Sequence, residues 1–325
     1  MEDCARRHRR ILRNSKTFLE CPILFGREPL MSSSVFSEIV IPDTLRVGNG
    51  FQAAQLRNNR FDGLIDPIIL IDYFALSATQ EPYPYAGLSA LTYLFEDSSP
   101  ARYVEGGESQ TCGLIGAGDL YWLLAGMGTL HGEYPQGDGV VRGLRVFVDL
   151  PTAHKLDAPA GYHVPSAAMP VIQREGLHVR VIAGQSKNVS ASAVLPQPFT
   201  MLDCRMGAQV RFAHPMPADW NAVVYLIGGG PLIVSALGKT RRLDAGRALA
   251  VGTHGGATSL VLSSEAIDAH VVVVALPATA EALALMNEGS GKEGCGKEGC
   301  GEEGDGGVAF DEDPTWLTNR VTVVR

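Results

Sequence analysis

GAGDLYWLLAGMGTLHGEYP, Gly116 to Pro135, is the stretch on which the reading of this chain turns. It opens on a glycine turn in which Asp119 reads as a capping side chain. An uncharged apolar run, Leu120 to Met127, follows, and then come His131 and Glu133, two residues apart. On a β-strand, residues i and i+2 point to the same face. An imidazole and a carboxylate side by side on one face are half of a first-row metal site. The plainer alternative is a histidine and a glutamate hydrogen-bonded to each other at the mouth of a β-structure. The segment LAGMGTL has neither the GxGxxG spacing nor a following helix, so it is not a phosphate-binding loop.

Outward from this stretch the signals are β. Short apolar runs recur between Gly, Pro, Asp and Asn clusters, among them PIILIDYF, ALTYLFED, GLRVFVDLP, HVRVIAG, TSLVLSS and HVVVVALP. Spacings near ten residues and β-branched enrichment predict an all-β chain of sandwiches or small barrels. The best helix signal is PATAEALALMNE, Pro277 to Glu288. The predicted organisation is an N-terminal extension (1–34), a first β domain (35–150), a Pro-bearing connector (151–175), a second β domain (176–288), a Gly-rich tract (289–314) and a C-terminal segment (315–325). Residues 289–307 contain a tandem KEGCG and lack core-forming residues, so disorder is expected.

The 325 residues carry 35 acidic and 27 basic side chains, a net charge of −8. That balance argues against a general nucleic-acid binder, which needs a basic face. No apolar run approaches the length that spans a bilayer. Six cysteines lie without a CxxC pair, which suggests neither a zinc site nor a disulfide framework. Cys112 and Cys204 read as small core hydrophobes. The basic N-terminus lacks the apolar stretch of a secretory signal, and Glu2, Asp3 and Glu20 argue against a transit peptide. A cytoplasmic location is the expectation.

Taken in order, DPIILIDYF, YPYAGLSALTYLFED, GAGDLYWLLAGMGTLHGEYP, GLRVFVDLPTAHK, HVRVIAG and MPADWNAVVYLIGG resemble the chain of motifs of the pirin family, from about Val47 to Ala275. The resemblance implies a bicupin: two stacked antiparallel jelly-roll-like β-barrels in one chain with few helices. It also implies an iron in the first barrel, held by three histidines and one glutamate, from an HPH motif and an HxE pair. HxE maps to His131 and Glu133. HPH maps to Tyr83-Pro84-Tyr85, and no histidine lies between His8 and His131 to rescue it.

Two retained ligands make a weak iron site, because a neutral phenol with a pKa near 10 ligates poorly. The alternative is altered metal chemistry, with Tyr83 or Tyr85 as phenolate ligands of Fe(III). The favoured function is therefore a non-enzymatic binding or regulatory protein with a degenerate metal site. It would recognise a regulatory protein partner or a small aromatic ligand, in a pocket lined by Tyr83, Tyr85, Trp122 and His131. The alternative is a cupin dioxygenase of the quercetin 2,3-dioxygenase type, with Glu133 as ligand or base. The resemblance also admits a nuclear location. In the second half, His214, His254 and His270 lack metal-ligand spacing and read as surface or satisfied histidines.

Overall fold

The computed structural model describes residues 36–61, 63–106, 111–191, 197–253 and 256–279. The expected N-terminal extension, the helix over 277–288 beyond its first three residues, the Gly-rich tract, the C-terminal segment and His254 lie outside them. Among the described residues the regular structure is β, with three short 3-10 turns.

Each half is a pair of facing sheets. In the first, a seven-stranded sheet runs in the order Asp43–Val47, Phe51–Arg57, Ile68–Leu76, Val141–Asp149, Leu88–Leu94, Leu120–Leu124 and Ala160–Val164. A four-stranded sheet covers one face of it, in the order Tyr83–Tyr85, Thr129–Pro135, Ala101–Glu105 and Thr111–Ile115. The second half repeats the plan. Its six-stranded sheet runs Val171–Arg174, Leu177–Ala183, Thr200–Met206, Ala269–Pro277, Trp220–Gly229 and Arg247–Gly252. The four-stranded cover runs Arg211–Met216, Thr258–Ser264, Leu232–Ala236 and Lys239–Leu243. The expected jelly-roll-like barrels take the form of open sandwiches, since among the described residues no strand pairing joins each cover to its large sheet. The expected connector also departs from its reading. It contributes Ala160–Val164 to the first large sheet and Val171–Arg174 to the second.

The two large sheets pack against each other. One apolar cluster joins Leu91, Trp122, Leu144 and Val146 of the first half to Phe199, Met201, Val223 and Val272 of the second. Separate clusters fill the inside of each sandwich. Central large-sheet strands are therefore buried on both faces, which is why Leu88–Leu94 and Leu120–Leu124 are buried along their whole length. Strands of that kind read as continuous apolar runs rather than as alternation. Cys204 lies in the second core, as expected. Cys112 does not: its strand is at the outer edge of the first cover, where its side chain is exposed.

Candidate functional site

Alternation along Thr129–Pro135 turns His131 and Glu133 inward, and both are buried. Register then decides what joins them. On the cover sheet, His131 pairs directly with Tyr83 on one side and Glu105 on the other, and Glu133 pairs with Tyr103. Directly paired residues share a face. On the large sheet, a transverse row of successive partners runs Gln55, Asp72, Arg145, Thr92 and Tyr121. Two polar rows thus face each other across the first sandwich.

Hydrogen bonds close the gap. Arg145 Nη2 donates to Glu133 Oε2 at 2.7 Å. Thr92 Oγ1 donates to Glu133 Oε1 at 2.6 Å, and His131 Nε2 lies 3.0 Å from the same oxygen. The other ring nitrogen, Nδ1, lies 3.2 Å from Glu105 Oε1, which also accepts from Tyr121 Oη at 2.7 Å. A carboxylate on each side makes the His131 ring a donor from both nitrogens. Burial alone would lower its pKa, but the bonds to Glu105 and Glu133 outweigh burial and hold it above the ordinary histidine value. Burial would likewise raise the Glu133 pKa. The Arg145 guanidinium, with His131 and Thr92, overrides it and holds the carboxyl well below the usual range. Asp72 has no such rescue. Burial outweighs Arg145 and the 2.9 Å bond from Gln55 Nε2, and pushes its carboxyl up to about 6.

Tyr83 and Tyr85 face this cluster. The Tyr85 ring stacks on His131, with centroids 5.7 Å apart, and packs edge-on to Phe147. Burial pushes its phenol up to about 12. Glu133 is not the acceptor for the tyrosine hydroxyls, because Thr92, His131 and Arg145 take it instead. Trp122 is a correction. Its neighbour Tyr121 faces the site, so Trp122 points to the opposite side of the strand, where it packs on Phe199 in the core between the halves. It lines no pocket with His131.

The donor set does not fit a resident metal. Both Glu133 oxygens and both His131 nitrogens are engaged, and the position facing Glu133 carries the Arg145 cation. Among the described residues no group of three His, Cys, Asp or Glu side chains is arranged to hold a metal. The cavity beside the cluster, lined by Tyr83, Tyr85, Phe51, Gln55 and Arg145, measures about 70 Å³. Sequence reasoning found His131, Glu133, Tyr83 and Tyr85 but missed Glu105, Arg145, Thr92 and Tyr121. One signal was available: Arg145 is the lone charge within the apolar run GLRVFV.

Two open jelly-roll sandwiches, back to back in one chain, with a His/Glu pair inside the first, define a bicupin. No family model matches the chain, but individual proteins do. The pirin-like protein At1g50590 of Arabidopsis thaliana is 31% identical over 188 residues, 55% of this chain and 59% of that protein. Mus musculus pirin is 29% identical over 170 residues, 51% of this chain and 57% of that protein. The chain is similar to pirin-like proteins, and its match spans about three-fifths of the length of these curated relatives. Among solved structures, a quercetin 2,3-dioxygenase from Acinetobacter baumannii superposes with a TM-score of 0.64 at 20% identity, covering 78% of this chain and 97% of that one. Bacterial pirin YhhW from Escherichia coli, in complex with nickel(II), superposes with a TM-score of 0.54 at 15% identity, covering 74% and 100%. At these identities the superpositions speak for the fold. Among the described residues no helix is long and apolar enough to cross a membrane.

Proposed function

We propose that this chain is a non-enzymatic pirin-like binding protein whose first cupin site works without a metal. The observation that carries the reading is the 2.7 Å contact of Arg145 Nη2 with Glu133 Oε2. It gives the buried carboxylate a covalently tethered counter-charge where iron would be expected from the resemblance. Cavity size supports the same reading. About 70 Å³ is room for a few waters and far below the 300 Å³ or more of typical small-molecule sites. A flavonol does not enter without rearrangement of Tyr83 and Tyr85. The partner is then a regulatory protein that reads the surface around the first sandwich, rather than a substrate turned over within it.

The dioxygenase reading keeps some support from His131 and Glu133 and from the structural likeness to quercetin 2,3-dioxygenases. One experiment separates the two. Protein purified without chelators is assayed for metal content and for quercetin-dependent oxygen uptake with added Fe(II), Ni(II) or Co(II). The proposal expects well under one metal per chain and no uptake above the free-metal blank. Stoichiometric metal together with quercetin-dependent uptake would restore the enzyme.

A further inference from the structure

The second sandwich has a cavity of its own. It measures about 780 Å³, within the range of small-molecule sites. It opens between the strand Arg211–Met216 and the hairpin of Gln185–Ser186 with Val189–Ser190. Internal repetition places it. Arg211–Met216 is the edge strand of the second cover, as Tyr83–Tyr85 is of the first. Met216 pairs with Thr258 as Tyr85 pairs with Thr129. His214-Pro215-Met216 therefore occupies the place of Tyr83-Pro84-Tyr85. Here the facing row of the large sheet is apolar, running Val181, Leu202, Val273, Val224 and Leu249.

The walls of the cavity select a ligand. Phe199, Met216 and Trp220 supply apolar and aromatic surface, and His214 and Lys187 supply polarity. His214 is buried, and its Nδ1 lies 3.0 Å from Ser186 Oγ. Its other ring nitrogen has no protein partner among the described residues. Burial lowers its pKa to about 4, so the ring meets a ligand uncharged at neutral pH. Lys187, exposed at the rim, holds its ammonium 5.6 Å above the Phe212 ring and makes no ion pair among the described residues. Its φ of +54° is a left-handed position at a tight hairpin turn, where glycine or asparagine is the cheaper choice. Among the described residues no Asp or Glu lines the cavity. In a chain of net charge −8, the described lining carries one cation and no anion.

We infer that the second-half cavity is a binding site for a small aromatic monocarboxylate, its ring against Trp220, Phe199 and Met216 and its carboxylate between Lys187 and His214. A charge-assisted pair with the ammonium supplies the preference for an acid over its neutral analogue, and the aromatic walls supply the remaining contact.

The test is calorimetric titration of the full chain with 2-naphthoate and with the uncharged 2-naphthamide. Three variants accompany the wild type: Lys187→Glu, Lys187→Arg and His214→Leu. The expected result is saturable binding of naphthoate, with the amide weaker by about tenfold, the worth of one charged hydrogen bond. Lys187→Glu should lose binding to a similar degree or more, and Lys187→Arg should retain it. Lys187 is exposed, so these two variants keep the fold and carry the test even if His214→Leu melts early. Undiminished binding of the acid in Lys187→Glu would place it away from this cavity and overturn the inference. Equal binding of acid and amide, or no binding of either, would overturn it as well.

Discussion

Removing the Arg145 guanidinium strands a carboxylate. Glu133 is 1% exposed at its side chain, and breaking one member of a buried pair costs about 3–5 kcal/mol. Arg145→Met should therefore lower stability by that order in urea unfolding, and adding Glu133→Gln should recover much of the loss. A smaller loss from Arg145→Met than from the double variant would show that Glu133 does not depend on Arg145. Asp72 offers a pH test. Its carboxyl is raised from 3.8 to about 6, so the folded state holds this proton more tightly than the unfolded state does. Its contribution thus lowers stability as pH rises from about 4 to 6, and is constant above. Asp72→Asn keeps an oxygen for Gln55 and removes that dependence. Relative to wild type the variant should gain about 2–3 kcal/mol at pH 8 and nothing at pH 3.5, at 1.36 kcal/mol per pKa unit. Identical pH–stability curves for the two proteins would rule out a buried, raised Asp72.

At the scale of elements, burial on both faces separates the large sheets from their covers. Leu91 is fully buried between the halves, whereas Leu130, on the cover strand beside His131, is 41% exposed. Leu91→Ala should cost about 2–5 kcal/mol and Leu130→Ala within about 0.5 kcal/mol, as read from denaturation midpoints. The turn between Leu120–Leu124 and Thr129–Pro135 is equally constrained. Gly126 has φ +49°, and a methyl group there would meet the Asp157 carbonyl, which accepts from Met127 N at 2.9 Å. Gly126→Ala should cost at least the roughly 1–3 kcal/mol of a strained backbone position. That cost was only partly legible in the sequence. The glycine marks a turn, but its crowding comes from Asp157, thirty-one residues on, in a segment that reads from composition as a mere connector. Two short strands were hidden there because each has only one partner strand, so neither needs the long apolar run that marks a buried strand.

At the scale of the molecule, the halves share a core and a polar clasp. Tyr93 Oη donates to Asp203 Oδ2 at 2.9 Å, and His270 Nε2 lies 2.7 Å from Asp203 Oδ1. Arg180 reaches from the second half to Gly118 O at 3.1 Å and Ser166 Oγ at 2.8 Å. Neither half can bury its large sheet alone, since the outer face of each is apolar. Calorimetry of the full chain should give a single cooperative transition. Residues 36–165 expressed alone should aggregate or bind a hydrophobic dye, because a sheet-sized apolar face is far beyond what a soluble monomer exposes. A soluble, two-state first half would refute the shared core.

The sequence by itself determined the all-β class, the order of the motifs and the inward-facing His131/Glu133 pair. These depend on local period and on residues close together in the chain, and a two-residue spacing on a strand leaves little freedom. Through the family resemblance it set Tyr83 and Tyr85 at the positions where histidines were expected. It did not determine what replaces them. Arg145, Thr92 and Asp72 reach the site through strand register across the large sheet, and Glu105 through register across the cover. Register between strands tens of residues apart leaves no mark on any one of them. Only the tertiary structure decided that Glu133 is answered by a guanidinium, that Trp122 belongs to the core between the halves, and that the roomier cavity lies in the second sandwich.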